Sequence, residues 1–423
     1  MFTKEPVQKE QKEKKLKKIL IIGAGASGLI SAIYAKKAGN EVTLIEKNEI
    51  CGKKILATGN GRCNFWNEDQ NLNHYRSSNY EKLEEVLNEK NQKETLNFFN
   101  KIGIEPKIKN GYYYPYSNQA ISIQKALISE AEKQGVNIKT NSEVIDIVKK
   151  NEKFETIIKE QNKIVSDIVI LSVGSKAAPK TGSDGFGYKI CKQFGHTINK
   201  PLPALVQLKA EENFLKDWEG IRADVSVKLY ENGKEIAEEI GEIQLTNYGI
   251  SGICVFNLSG RVAKGLEANK KECVRINFLD GLKIRNENQF INWMNSRNRI
   301  LENRNLTEAL EGVLNIKLVN ILLKLSNINP CETWDNLGEN QKNKLAQNIV
   351  KFKLNITGTN SFDKAQVCTG GVPIEEIDLK TMQSKKEHGL FITGETLDVD
   401  GDCGGYNLEW AWITGMIAGS NVK

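Results

Sequence analysis

A strand, a glycine turn and a helix near the start of the chain constrain its fold more than any other feature. In KKILIIGAGASGLISAIYAKKAGNEVTLIEK, the apolar run Ile19–Ile22 is typical of a parallel strand covered on both faces. Gly23, Gly25 and Gly28 follow at GxGxxG spacing. The first glycine permits a tight turn, the second lets the backbone approach a pyrophosphate, and the third allows close helix packing. This unit predicts an α/β, Rossmann-type domain with a dinucleotide site.

The residues after the turn indicate which dinucleotide binds. Ala26 and Ser27 begin a helix whose free N–H groups and positive dipole end suit phosphates. Val42–Ile45 forms the next strand and ends at Glu46, with Lys47 directly behind it. A carboxylate at this point accepts hydrogen bonds from both hydroxyls of an adenosine ribose and repels a ribose 2′-phosphate. The site is therefore expected to take FAD or NAD, and not NADP.

The segment GKKILATGNGRCN favours FAD over NAD. It is an irregular glycine-rich stretch, as expected where the chain follows a long cofactor past its pyrophosphate. A solvated surface loop explains the glycines but not the compact TGNGRCN. Lys53 and Lys54 are candidates for contact with phosphate or substrate charge. The candidates along the ribityl chain and the flavin ring are Thr58, Gly59, Gly61, Arg62 and Asn64.

A second candidate segment lies at the far end of the chain, in HGLFITGETLDVDGDCGGYNLEWAWITGMIAG. We expect a short strand at Gly389–Thr393 and a helix that begins near Tyr406 and Asn407. The positive end of that helix is suited to the N1–C2=O region of a flavin. An ordinary loop-to-helix junction is the alternative. The candidate cofactor residues here are Gly394, Glu395, Asp398, Gly404, Gly405, Tyr406 and Asn407.

Five motifs occur in order: GAGASGL, GKKILATGNGRCN, TGSDGFGYKICKQFGH, VCTGGVPIEEIDLKTMQSK and GLFITGETLDVDGDCGGYNLEWAWITG. Together they resemble the BaiN/RdsA-like, or aminoacetone oxidase-like, family of NAD(P)/FAD-dependent oxidoreductases. The departures are slight: Ala57, Thr58 and Asn60 stand where Ser and further Gly are commoner. The resemblance implies a two-part FAD-binding domain with an intervening domain. It also implies NAD(P)H-linked reduction, with bile-acid intermediates as one proposed substrate class.

The expected fold is a discontinuous FAD-binding domain of the glutathione-reductase-like kind with an inserted β-plus-helical domain. Its expected parts are a basic tail at 1–17, the FAD-binding domain at 18–198 and 356–423, and the insert at 199–355. Within the first part we expect helices at 80–101 and 119–134, an adenine contact through the backbone of Val144, and a turn near the cofactor at Gly174. The patterns predict these insert elements: strands Leu205–Ala210, Ala223–Tyr230 and Ile236–Leu245, and helices Gln289–Arg299, Ile316–Leu325 and Asn340–Phe352.

Composition excludes several other classes of protein. The net charge is a modest +6, and the alternating charges of the first residues are typical of a solvated tail. Eight scattered cysteines without a CxxC, and only three histidines, predict no metal cluster and a reducing, cytoplasmic location. The glycine-rich apolar run is too short for a convincing membrane helix. We expect a small-molecule substrate and neither a nucleic-acid nor a membrane partner, and the oligomeric state stays open.

The flavin-side candidates for catalysis are Arg62, Cys63 and Asn64. Cys63 and Cys403 are expected to be packing residues, because no partner thiol is nearby in sequence. One of Tyr112, Tyr113, Tyr114 and Tyr116 is a candidate proton donor, and His196 is expected to be structural. The favoured activity is transfer of hydride from NAD(P)H through FAD to a C=C conjugated to a carbonyl, or to a ketone. The alternatives are an oxidase of a small amine that uses oxygen, and an FAD-dependent RNA-modifying or RNA-binding protein.

Overall fold

The predicted strand–turn–helix unit is present. In the computed structural model, which describes residues 16–302 and 304–422, strands Lys18–Ile22 and Glu41–Ile45 pair in parallel, and helix Ala26–Lys37 connects them. They lie in a seven-stranded sheet in which the second strand runs antiparallel to both of its neighbours and all other neighbouring strands are parallel. In spatial order the strands are Ile377–Asp378, Gln383–Ser384, Leu390–Ile392, Ile168–Leu171, Lys18–Ile22, Glu41–Ile45 and Asn137–Lys139.

The two ends of the chain meet in one domain through a close helix pair. The C-terminal helix, Tyr406–Asn421, packs along helix Ala26–Lys37. A Cβ atom on Gly415 would lie 2.4 Å from the carbonyl oxygen of Ser27, so only glycine allows this approach. Ser31 Oγ donates to the Gly415 carbonyl at 3.1 Å. The contact confirms the discontinuous Rossmann-type domain.

The segments between the second strand and Ile168 cover this sheet. Helices Lys53–Ala57 and Ala120–Lys133 pack near helix Ala26–Lys37. The expected helix at 80–101 is interrupted, because Asn88 accepts from the Asn91 N–H and starts a new helix, Glu89–Lys101. A short 3-10 helix, Tyr80–Glu85, precedes it. An antiparallel sheet follows, made of Val144–Lys150, Lys153–Ile158 and Ile164–Ser166, and helix Phe186–Gln193 comes after the fourth parallel strand.

The insert is a closed six-stranded barrel with helices, which confirms the predicted β-plus-helical domain. Around the barrel the strands are Leu208–Ala210, Gly249–Ser251, Lys234–Thr246, Arg222–Glu231, Glu272–Asn277 and Phe352–Thr359. The barrel helix, Ile253–Glu267, packs against several of them. The helices between the last two strands are Glu287–Ile300, Leu306–Glu311, Ile316–Leu325 and Glu339–Val350. The barrel and these helices share one apolar core.

Two predicted elements of the insert were wrong at their ends. Leu205–Ala210 is not one strand, because Leu205 has φ 48° and separates strand Asn199–Ala204 from the barrel strand that starts at Leu208. The last helix ends at Val350, and Phe352 begins a strand instead. The boundary expected at 355 falls inside that strand, so we propose that the insert runs to about residue 359.

Three small pairings complete the structure. Strand Asn199–Ala204 pairs with Val367–Gly371, and Tyr75–Ser77 pairs with Val399–Gly401. The third sheet consists of Trp66–Asn67, Tyr112–Pro115 and Pro106–Lys109. Residues 1–15 of the expected tail lie outside the described residues. Across 16–302 and 304–422, no helix is both long and apolar enough to cross a bilayer.

Candidate functional site

The three glycines of the turn occupy three different environments. Gly23 has φ 96°, and a Cβ there would lie 2.5 Å from the Ser172 carbonyl oxygen. A Cβ on Gly28 would lie 1.8 Å from the Gly23 carbonyl oxygen, so the helix could not pack on the turn. Gly25 has no heavy atom within 4 Å of such a Cβ. The turn is closed on its protein side and open at Gly25, which suits the approach of a pyrophosphate.

Glu46 lies beside this turn and is almost fully buried. Its Oε2 accepts from the Ala24 N–H at 2.9 Å, and its Oε1 accepts from the backbone N–H and the amide of Asn48 at 2.9 and 2.7 Å. The carboxylate is thereby fixed at the point where the ribose of a bound dinucleotide lies in Rossmann domains. Lys47 instead forms an ion pair with Asp184 at 2.6 Å, so its charge is already neutralised.

The adenosine side of the site is completed by the antiparallel hairpin. The Ser142 N–H donates to the Glu46 carbonyl oxygen at 2.9 Å, which ties the start of the hairpin to the acidic strand end. Val144 follows two residues later and is buried. Its backbone is therefore near the position predicted for the adenine contact.

Glu395 joins four parts of the chain. Its carboxylate forms an ion pair with Lys54 at 2.6 Å and accepts from Ser175 Oγ at 2.7 Å and the Cys368 N–H at 3.1 Å. Lys54 is thus held at the site by a residue 341 positions later, whereas Lys53 is exposed. Gly174, at φ 74°, accepts a hydrogen bond from the Thr396 hydroxyl.

The segment Thr58–Asn64 is a sharply folded loop. Gly59 and Gly61 both have positive φ, and a Cβ on Gly61 would meet no heavy atom within 4 Å. Arg62 is exposed, with Nε donating to the Gly59 carbonyl at 3.2 Å and its guanidinium 5.0 Å above the Tyr114 ring. With its amide oriented to satisfy its neighbours, Asn64 donates to the carbonyl oxygens of Trp66 and Tyr113.

The Cys63 thiol is fully buried within this loop. Burial raises the pKa of the thiol to about 12, although a hydrogen bond with Thr58 opposes the shift. The thiol is therefore neutral at physiological pH and is not a thiolate nucleophile. Cys403 has the same character, because burial raises its thiol pKa to about 12. Both cysteines have the environment of packing residues.

The C-terminal segment contacts the end of the first loop. A Cβ on Gly405 would lie 2.8 Å from the backbone of Trp66, two residues past Asn64, so the two segments touch at their backbones. Asn67 Nδ2 also donates to the Gly404 carbonyl oxygen at 2.9 Å. Asn407 brackets Gly401, accepting from its N–H and donating to its carbonyl oxygen, both at 2.8 Å. The two segments predicted to surround one flavin are therefore adjacent.

Gly394 and Asp398 hold the strand end in place. Gly394 has φ 65°, and its N–H and carbonyl oxygen bond to Thr414 and Trp410 of the last helix. Asp398 is buried and accepts from Asn199 Nδ2 at 2.7 Å and the Gly370 N–H at 3.0 Å. Its carboxylate therefore binds the protein itself in this structure.

Sequence reasoning missed a polar cluster beside the last helix. The His74 ring stacks on Tyr406 at 4.5 Å, and its two nitrogens lie 3.0 Å from carboxylate oxygens of Asp402 and Asp69. Burial lowers the pKa of His74, but the two carboxylates outweigh it and raise the pKa above its ordinary value. Asp402 also forms an ion pair with Arg76 at 2.6 Å. DGDCGG alone hinted at Asp402, and no motif marked His74.

The four tyrosines of GYYYPYS have different environments. Tyr112 is half-buried beside Gly404, and burial, followed by the nearby Cys403, raises the pKa of its hydroxyl. Tyr113 packs on Phe65, and Tyr114 lies under Arg62. Tyr116 is exposed. Tyr112 lies next to the glycines of the C-terminal segment and its hydroxyl pKa is raised, so it is the proton-donor candidate that we retain.

His196 is structural, as expected from the sequence. It is buried between Glu376 and Ser384, and each of its ring nitrogens lies 2.7 Å from an oxygen of one of them.

The arrangement fits FAD along its whole length. We call these three features the cofactor cradle: the open face at Gly25, the fixed carboxylate of Glu46, and the loop Thr58–Asn64 that leads into the contact with the last helix. A model of the HI0933-like protein Rossmann domain matches residues 17–421. The chain belongs to this family. The family and the cradle together confirm the prediction of an FAD-dependent oxidoreductase.

Two relatives are similar in sequence over nearly the full chain, and one solved structure is a weaker likeness. A Clostridium scindens protein named 3-dehydro-bile acid delta(4,6)-reductase is 40% identical over 406 residues, 96% of this chain and 98% of its own length. An Escherichia coli protein named ribosomal RNA dihydrouridine synthase is 30% identical over 395 residues, 93% of this chain and 94% of its own. The solved 3-ketosteroid-delta4-(5alpha)-dehydrogenase of Rhodococcus jostii RHA1 is 12% identical with a TM-score of 0.47, covering 98% of this chain and 99% of its own.

Proposed function

We propose that this protein takes hydride from NAD(P)H onto FAD and reduces a small organic substrate at a C=C conjugated to a carbonyl, with a ketone as the other acceptor class. The observation that carries the proposal is the contact between the loop at Thr58–Asn67 and the segment Gly404–Asn407 at the flavin end of the cradle. The flavin ring is proposed to lie beside this contact, next to two segments that are far apart in sequence.

The names of the two relatives support this acceptor chemistry. A 3-dehydro-bile acid with delta(4,6) unsaturation carries C=C bonds conjugated to a carbonyl at C3. A dihydrouridine is a uridine whose C=C bond, also conjugated to a carbonyl, has gained two hydrogens. Hydrogenation of an electron-poor C=C is common to both names. We favour the small-molecule substrate for this chain because the identity is 40% with the first relative and 30% with the second.

Bound FAD would supply the hydride acceptor and donor for this chemistry. The residues of the chain supply charge and a proton. The helix that begins at Tyr406 presents its free N–H groups and positive dipole end, which stabilise negative charge on the ring. Arg62 is exposed at the loop and has no ion pair among the described residues, so its charge is free for a substrate carbonyl or a ring oxygen. Tyr112, whose raised pKa keeps its proton at neutral pH, is proposed to protonate the substrate carbon next to the carbonyl.

NAD(P)H is proposed as a transient co-substrate that visits the open flavin face. All eight cysteines are free thiols, which supports the proposed cytoplasmic location.

The test is anaerobic reduction of the purified yellow protein. We expect NADH or NADPH to bleach the flavin absorbance at least as fast as the enzyme turns over in the steady state. A 3-oxo-4-ene steroid or a simple conjugated enone should then restore the absorbance. Rapid bleaching by a small amine with slow bleaching by both nicotinamides would refute the reductase and favour the oxidase. Restoration of colour by a uridine-containing ribosomal RNA fragment, and by no enone, would instead favour the RNA-modifying alternative.

A further inference from the structure

A pocket of about 410 Å³ lies between the barrel helix, Ile253–Glu267, and the short strand Tyr75–Ser77. Three cationic side chains line it, Arg76 from the strand and Arg261 and Lys264 from the helix. Because Arg261 and Lys264 are three residues apart on a helix, they lie on the same face. We call it the cationic pocket.

The positive charge of the cationic pocket is only partly neutralised. Arg76 pairs with Asp402, which also contacts His74, so that carboxylate is shared. Within residues 16–302 and 304–422, neither Arg261 nor Lys264 has a carboxylate oxygen within ion-pair distance. The Nε atom of Arg76 is buried and has no hydrogen-bond partner in the same part of the chain. A buried guanidinium N–H of this kind needs an acceptor, and residues 16–302 and 304–422 do not provide one.

The electrostatics of Arg261 support the same conclusion. Arg261 is exposed over part of its side chain. Partial burial lowers the pKa of its guanidinium and the neighbouring Arg76 lowers it further, while Asp402, Glu239 and Asp400 oppose the shift. Two guanidinium groups that disfavour each other's charge would both be stabilised by an anion between them.

The cationic pocket is directly connected to the flavin-side segment. In the antiparallel pairing of strands Tyr75–Ser77 and Val399–Gly401, Arg76 lies opposite Asp400 and Tyr75 lies opposite Gly401. Asn407 hydrogen-bonds to both backbone groups of Gly401. On the barrel helix, Asn257 accepts from the Cys403 N–H at 2.9 Å, one turn before Arg261. A ligand in the pocket would therefore touch the insert on one side and, on the other, the strand Tyr75–Ser77 that pairs with Val399–Gly401.

We propose that the cationic pocket binds a phosphate group, with Arg76, Arg261 and Lys264 as its ligands. A phosphate presents several charged oxygens, and guanidinium groups match them with paired N–H donors while lysine adds a point charge. Tyr80 and Asn73 also line the pocket and offer an aromatic face and an amide for the sugar that carries the phosphate. Under the proposed function, the phosphate comes either from the nicotinamide dinucleotide or from the substrate, and this part of the inference rests on that function.

The test is isothermal titration of the FAD-loaded protein in phosphate-free buffer, first with inorganic pyrophosphate and then with NADP⁺ as a non-reacting probe. The variants are Arg261→Gln and Lys264→Gln, both at exposed positions of the helix. The matched control is Arg222→Gln, an exposed arginine on a barrel strand that pairs with Glu242 instead. Because hydrogen bonds to charged groups are strong, each pocket variant should increase the Kd for pyrophosphate about tenfold or more. The control variant should have the same Kd as wild type.

The outcomes separate the two phosphate sources. If the pocket variants bind both pyrophosphate and NADP⁺ more weakly than wild type, the result supports the pocket, with the dinucleotide as the source of the phosphate. If the pocket variants bind only pyrophosphate more weakly, and NADPH still reduces their flavin anaerobically at the wild-type rate, the result supports the pocket with a phosphate-bearing substrate as the source of the phosphate. Undetectable pyrophosphate binding by wild type, or equal binding by all variants with full FAD content, would overturn the inference. Failure of both nicotinamides to bleach wild-type flavin refutes the hydride donor and leaves the pyrophosphate result to stand separately.

Discussion

Replacing Glu46 with glutamine should weaken FAD binding strongly. The carboxylate is fixed by three donors, the Ala24 N–H and two N–H groups of Asn48, at 2.7–2.9 Å. In the holoprotein the same carboxylate is expected to accept from the two hydroxyls of the adenosine ribose. Hydrogen bonds to a charged acceptor contribute about 1.5–3 kcal/mol each, against about 0.5–1.5 kcal/mol for neutral pairs.

The loss of charge at two ribose contacts therefore amounts to about 3 kcal/mol, or roughly a hundredfold increase in the Kd for FAD. The assay is quenching of FAD fluorescence during titration with apoprotein, with the thermal unfolding midpoint of the apoprotein measured in parallel. Glu41→Gln is the matched control, since Glu41 is exposed at the other end of the same strand. An unchanged Kd for the Glu46 variant, with a normal unfolding midpoint, would refute the assignment of the ribose to this residue.

Four further predictions follow from single side chains. Gly28→Ala should destabilise the protein by several kcal/mol and prevent FAD binding, because the new Cβ would lie 1.8 Å from the Gly23 carbonyl oxygen. Chemical denaturation measures the free energy of unfolding, and a decrease of less than about 1 kcal/mol would contradict the close packing. Cys63→Ala should keep the rates of flavin reduction and turnover within about threefold of wild type, since burial raises the pKa of the thiol to about 12. Loss of turnover with FAD still bound would contradict a packing role for Cys63. Tyr112→Phe should slow enone reduction by about 10²-fold, because this step takes a proton from the Tyr112 hydroxyl. Flavin reduction by NAD(P)H should stay unchanged in stopped-flow traces. Equal slowing of both steps would exclude Tyr112 as the proton donor. Burial raises the pKa of Glu409 to about 8, so between pH 4.5 and pH 8 the folded protein holds a proton there that the unfolded chain has lost. This one group should lower the free energy of unfolding by up to about 1.4 kcal/mol per pH unit across that window. Urea titrations should therefore show a less negative slope of that free energy against pH for Glu409→Gln than for wild type, and identical slopes would contradict the burial of a neutral carboxyl.

The local features of the cofactor site could be predicted because each depends on a few consecutive residues. The roles of Gly23 and Gly28 follow from turn geometry, and the placement of Glu46 follows from strand length. The helix Ile316–Leu325 was predicted to the residue from its apolar spacing. Short-range patterns of this kind fix backbone shape before any tertiary contact forms.

The partners of the charged side chains could not be predicted. We expected Lys47 to lie at the cofactor and Lys54 to meet phosphate or substrate charge. Instead, Asp184 pairs with Lys47 and Glu395 pairs with Lys54, both from distant parts of the chain. Such pairs depend on how the two halves of the domain meet, and no sequence period encodes that. The break at Leu205 was equally hidden, because a left-handed leucine has no composition signal and is held there by its tertiary context.

The closed barrel was recognisable only as strands followed by helices. Its last strand, Phe352–Thr359, is separated from its neighbour Glu272–Asn277 by four helices, so strand order required the three-dimensional structure. The cationic pocket has the same origin, since Arg76 and Arg261 come from the two sides of the domain junction.

A crystal structure of the protein grown with FAD would test the central claim most directly. We predict one FAD per chain, with its adenosine ribose at Glu46, its pyrophosphate over Gly25, and its ring between Thr58–Asn64 and the N-terminus of the helix at Tyr406. A ring bound away from either of these two segments, or a ribose without contact to Glu46, would contradict the account.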